Sequence, residues 1–139
     1  MKVMLDTNVV LDGPLKREPF FAASYGVVRL AAQGEVEGFV SAAAATDVFY
    51  LLHRNLKDKE QAKSGLKKLL LLVRIADALG EDVRAAFASD MADFEDALVA
   101  AIAGRCGMDC IVTRNAGDFS GSPVTALTPE AFLRQTAAR

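Results

Sequence analysis

Val3-Met4-Leu5-Asp6-Thr7-Asn8, near the start of the chain, decides how the rest is read. Three apolar residues of strand type stop abruptly at a carboxylate and two small polar residues that favour turns and caps, so a core strand leaves the interior at Asp6. The same passage recurs late in the chain, where Cys110-Ile111-Val112-Thr113 reads as a buried strand and gives way to Arg114-Asn115-Ala116-Gly117-Asp118-Phe119. Gly38-Phe39-Val40, the stretch around Ile75, and Val124-Thr125-Ala126-Leu127 supply further short strands.

Helical segments separate them. Phe20, Tyr25, Val28 and Ala32 carry helical spacing over about 19–33, which stops at Gly34. Ser41 is placed to cap a helix running to about Asn55, with Ala44, Val48, Leu51 and Leu52 on one stripe. Further helices are read over about 59–72 and 81–88, and a last one opens at Thr128-Pro129-Glu130 with a cap, a first-turn proline and an acid. The alternation predicts an α/β fold, a three-layer sandwich whose central parallel sheet of about four to five strands has helices on both faces.

A length of 139 residues fits a single domain over 1–139, and 52% hydrophobic with 24% charged residues excludes a disordered chain. The longest purely apolar run, Leu69 to Val73, is far short of a membrane span. Asp6 interrupts the N-terminal apolar run before it reaches signal-peptide length, so a cytoplasmic protein is expected. Cys106 and Cys110 have no second Cys or His pair to complete a zinc site and read as small hydrophobes. A net charge of −2 argues against coating nucleic acid by bulk attraction, so any such contact is local. Arg54, Lys57, Lys59, Lys63, Lys67, Lys68 and Arg74 face only Asp58 and Glu60 and offer such a rim, or else a solvated helix face.

The segment from Asp90 is the most unusual. Asp90, Asp93, Glu95 and Asp96 precede Ala97 to Gly104, which holds no charge, so the helix is expected inside the fold with its acidic start at an edge. In an open parallel sheet, ligands collect beyond the carboxyl ends of the strands. Asp6, Asp93, Asp96 and Asp118, with Asp47 after the second strand, are candidates to converge there. Unbalanced carboxylates repel, and burial raises the cost of their charge. With no histidine nearby, oxygen-only ligation points to Mg2+ or Mn2+. Such an ion acidifies a water and offsets charge on a phosphate, so phosphodiester hydrolysis is the expected reaction. Each acid also has a plainer role: Asp93 and Asp96 as caps, Asp118 in a turn, Asp47 in solvent.

DTNVVLD at positions 6–12, the TDVFYLL stretch around Asp47, DFEDALVAA from Asp93 and TRNAGDF ending at Phe119 together resemble the PIN-domain family, which includes VapC-type toxin ribonucleases. The resemblance covers nearly the whole chain in order. It implies a metal-dependent endoribonuclease with catalytic Asp6, Asp47, Asp96 and Asp118, the metal held by Asp6, Asp96, Asp93 and Asp118. Thr7, Asn8, Thr113 and Asn115 would support these ligands, and Arg114 would contact RNA phosphate or make a surface ion pair. A fourth acidic position in many relatives falls at Asn115, leaving Asp118 as the nearest carboxylate. Implied partners are RNA, a cognate antitoxin and a second copy of the chain, with no membrane. The alternative is an inert PIN-like module that binds RNA or protein.

Overall fold

The computed structural model describes residues 1–138. Strands β1 (Lys2–Leu5), β2 (Glu37–Ser41), β3 (Arg74–Ala76), β4 (Cys110–Val112) and β5 (Ala126–Leu127) form one sheet in the order β3-β2-β1-β4-β5. Every pairing is parallel, with Val3 opposite Gly38 on one side and Cys110 on the other. Helices α1 (Thr7–Asp12), α2 (Phe21–Ala32), α3 (Ala45–Leu56), α4 (Lys59–Leu72), α5 (Gly80–Ala88), α6 (Phe94–Arg105) and α7 (Pro129–Ala137) cover it.

Side chains of a strand alternate between faces, and the core divides accordingly. Val3, Leu5, Val40, Cys110 and Val112 meet Val9, Val27, Val48, Leu52, Leu69 and Phe132 on one side. Met4 and Ile111 meet Val99, Ala100, Ile102 and Ala103 of α6 on the other. These are the three expected layers. No described helix is long and apolar enough to cross a membrane.

The order of strands matters for the site. From β1 the chain builds outward through β2 to β3, then crosses back to place β4 on the opposite flank of β1. The direction of winding therefore reverses between β1 and β4, the place in such sheets where ligands collect beyond the carboxyl ends.

Three local departures from the sequence reading have physical causes. The polar residues after Leu5 do not form a plain turn: Asp6 accepts from Thr7 N–H and caps α1, which buries Val9, Val10 and Leu11. Ser41 does cap, but it caps a 3-10 turn over Ala42–Ala44 that precedes α3. The last strand is only Ala126–Leu127, because the Ser122 hydroxyl engages both Val124 N–H and its carbonyl and holds that residue in a loop. Elsewhere helix 59–72 forms as read, and α6 buries Ala97, Val99, Ala100, Ile102 and Ala103 as its uncharged body requires.

Close approach of layers is set at Gly38. A Cβ there would stand 2.9 Å from Ala31 Cβ and 3.3 Å from Val73 Cγ1. Helix α2 thus lies directly on β2.

Candidate active site

Asp6 stands where β1 ends, and both of its oxygens are used. Oδ1 accepts Thr7 N–H at 2.9 Å and Oδ2 accepts the Thr113 hydroxyl at 2.8 Å. Thr113, fully buried just beyond β4, also accepts Asn115 N–H through the same hydroxyl at 3.2 Å. One hydroxyl therefore joins the two strands that flank the crevice and the loop that follows. Thr7 and Asn8 are half-buried at the start of α1, and Thr7 contributes its backbone N–H.

The acids of α6 face the same crevice. Asp93 is the N-cap, its Oδ1 accepting Asp96 N–H at 2.9 Å, so the capping role is realised. It also adds negative charge beside Asp96. Partial burial, then the charges of Asp93, Asp6, Asp118 and Glu95, push the Asp96 carboxyl from 3.8 up to about 6. Acids from three separate regions of the chain thus act on one carboxyl. Asp118 lies in a 3-10 turn over Ala116–Phe119, its N–H donating to Asn115 carbonyl. Asn115 itself is exposed and contributes its backbone.

Glu95, read in the sequence as part of the acidic start of its helix but not as a site residue, belongs here. Partial burial, a hydrogen bond with Asp47, and the charges of Asp47, Asp93 and Asp6 raise its pKa. Asp47 comes from the first turn of α3, so that contact joins the starts of two helices. The available signal was topological: both helices begin at the same edge of the sheet with an acid in the first turn.

Asp12 was the other silent residue. It ends α1 fully buried, with Ser24 Oγ donating to its Oδ2 at 2.7 Å and Arg114 Nε at 3.6 Å from the same oxygen. The Arg114 guanidinium lies 3.9 Å from the centre of the Phe20 ring, and its side chain is only 19% exposed. The basic residues from Arg54 to Arg74 fall on α3, the two-residue connection after it, α4 and the start of β3.

The donor set around Asp96 is oxygen only, which suits a hard divalent cation. As placed, no three described His, Cys, Asp or Glu side chains stand at the spacing of ligands around one ion. Like-charged acids repel one another, and a bound cation would offset that repulsion. The gathering of Asp6, Asp93, Glu95 and Asp118 around Asp96 fits a cation-binding site.

A PIN-domain family model matches residues 2–117. Among solved structures, the fold is similar to VapBC2 from Rickettsia felis bound to a DNA fragment from their promoter, with TM-score 0.72, 21% identity, and coverage of 92% of this chain and 98% of that one. It is also similar to DNA-bound VapBC from Salmonella typhimurium, with TM-score 0.69, 17% identity, and coverage of 93% and 98%. FitAcB from Neisseria gonorrhoeae aligns with TM-score 0.66 and 21% identity over 92% and 98%. No curated protein sequence gives a significant match.

Proposed function

The chain belongs to the PIN-domain family, and on that premise we propose that it is a Mg2+- or Mn2+-dependent endoribonuclease, the toxin of a toxin–antitoxin pair. The observation that carries this reading is the charge gathered on Asp96 by Asp93, Asp6, Asp118 and Glu95 at the switch point of a parallel sheet.

Asp6 and Asp96 would hold the cation, with Asp93 and Asp118 beside them. When bound, the ion supplies an acidified water and offsets charge on the scissile phosphate. The protein's part is positional. Thr113 and Thr7 N–H fix the two oxygens of Asp6, and the buried body of α6 fixes Asp96. Asp47 beside Glu95 adds a further carboxylate at the rim and helps raise the Glu95 pKa. RNA enters over the exposed edge that carries Asp47, Asn115 and Asp118, with the Lys-rich α3–α4 pair as the basic flank.

An antitoxin partner is supported by the VapBC and FitAcB assemblies among the structural neighbours. An open apolar groove of about 570 Å³, lined by Val10, Tyr25, Val28, Leu56 and Leu72, offers such a partner a seat. Exposed Val83 and Phe87 on α5 support a second copy as a further partner, which sedimentation of Phe87→Lys tests. A cytoplasmic location follows from the toxin reading.

The test is cleavage of single-stranded RNA by the full chain in Mn2+, with EDTA reversal and with Asp6→Ala and Asp96→Asn. Activity lost in both variants supports the reading, and wild-type rates in either overturn it. The second reading, an inert binding module, draws on Asn115, which brings only backbone to the crevice. Absence of Mn2+ binding by calorimetry would favour it.

A further inference from the structure

Helix α1 is six residues long, too short to hold its direction by its own hydrogen bonds. Both of its ends are gripped by consecutive residues of the loop after β4. Thr113 holds Asp6 at the N-cap, and Arg114 reaches past the helix to Asp12 at the last position. The Arg114 guanidinium is sandwiched between that carboxylate and the Phe20 ring, while Ser24 of α2 donates to the same Asp12 oxygen. A fully buried carboxylate is tolerated only when paired. This one has Oδ1 without a hydrogen bond among the described residues, and Arg114 Nε likewise, at 3.6 Å from Oδ2. The pair is therefore held by charge and stacking, while its polar atoms are incompletely satisfied. A core built only for stability has cheaper solutions at such a position.

We propose that the Asp12–Arg114 pair is a positioning device for the nuclease centre, locking the loop after β4 to the far end of α1 so that the Thr113 hydroxyl meets Asp6. The proposal rests on the nuclease reading. It makes Arg114 a positioning residue, in place of the phosphate contact that its motif suggests. Its planar guanidinium is what the site uses: it stacks on Phe20 and turns an edge to Asp12, which a lysine cannot do at once.

The test uses the full chain and a fluorogenic single-stranded oligoribonucleotide in Mn2+, with steady-state kinetics over a range of salt. Amide exchange at Asn115 and Thr7 is followed in parallel. Arg114→Gln and Asp12→Asn are expected to lower kcat by about 10- to 100-fold, with KM within about twofold and an unchanged salt slope. The Asn115 N–H, held by Thr113 Oγ1, exchanges faster in both. The double variant is no worse than Arg114→Gln alone. Arg114→Lys keeps a cation opposite Asp12, so it folds even where the glutamine variant does not, and it recovers only part of kcat. A raised KM at constant kcat, with the salt slope reduced by about one, would show a phosphate contact and overturn the proposal. Unchanged kcat with unchanged exchange overturns it too. If the wild type and Asp6→Ala alike cut no RNA, the nuclease reading has failed, and unchanged Asn115 exchange in Arg114→Lys and Asp12→Asn then rejects the coupling on its own.

Discussion

Thr113 Oγ1 donates to Asp6 Oδ2 at 2.8 Å, a bond between residues 107 positions apart that closes the crevice between β1 and β4. Thr113 is fully buried, so its hydroxyl has no water to turn to. Thr113→Val keeps the shape and removes both the donor to Asp6 and the acceptor for Asn115 N–H. Cleavage is expected to fall about tenfold or more while the fold survives, and Thr113→Ser restores most of it. Kinetics with matched circular dichroism spectra checks this.

Asp96 gives a pH dependence whose sign follows from its direction of shift. Its carboxyl is pushed up to about 6 in the folded chain from an ordinary value of 3.8, so between those values the folded chain holds the extra proton. Its contribution to stability is present below about pH 4 and lost as pH rises through 6. Without divalent cations, Asp96→Asn is therefore expected to raise Tm by a few degrees at pH 7.5 and to leave it unchanged at pH 4. Differential scanning calorimetry in EDTA decides; a lower Tm at pH 7.5 would contradict the charge crowding.

Cation binding should carry the same signature in reverse. A ligand carboxyl must lose its proton to bind, so Mn2+ affinity is expected to be flat above about pH 7 and to fall up to tenfold per unit below 6. Calorimetric titration at pH 5.0, 6.0 and 7.5 reads it directly.

Asp82 shifts the other way. Its buried carboxylate takes Arg105 Nε at 2.8 and 3.1 Å and Leu79 N–H at 2.8 Å, while Arg105 Nη2 donates to the Asp77 carbonyl at 2.6 Å. The Arg105 hydrogen bond, ahead of the opposing effect of burial, holds the pKa below 3.8. Stability from this clamp is present above about pH 4 and lost as pH falls through the folded value. Arg105→Ala leaves the carboxylate without its ion-pair partner and is expected to lower the urea midpoint at pH 7, a loss that narrows in acid.

Gly38→Ala is expected to cost about 1–3 kcal/mol without touching the site, because the new methyl meets Ala31 Cβ at 2.9 Å on a helix backbone that has no flexible end to yield. Ala31→Gly in the same chain should return part of the loss.

Much of this is legible in the sequence. The runs Val3–Leu5 and Cys110–Val112 announce strands by their apolar character, and the uncharged body of α6 announces a buried helix, because both depend on burial that composition records directly. Helix α1 was not legible: Val9 and Val10 are poor helix formers, and only the Asp6 cap and tertiary burial make them helical. Asp12 and Glu95 stayed silent for a related reason. Their meaning lies in Arg114, Ser24 and Asp47, partners from other elements that no local pattern names.

Helix α6 buries Ala97, Val99, Ala100, Ile102 and Ala103 and leaves the stripe through Phe94, Leu98, Ala101 and Arg105 toward solvent. Five buried residues along the rod resist sliding, so the carboxylates at its tip keep their address. On the proposed nuclease reading, choice of target is then written elsewhere, on the α3–α4 pair and the turn at Ala116–Phe119, where substitutions meet solvent. Swapping those surfaces between relatives should redirect cutting without retuning the chemistry.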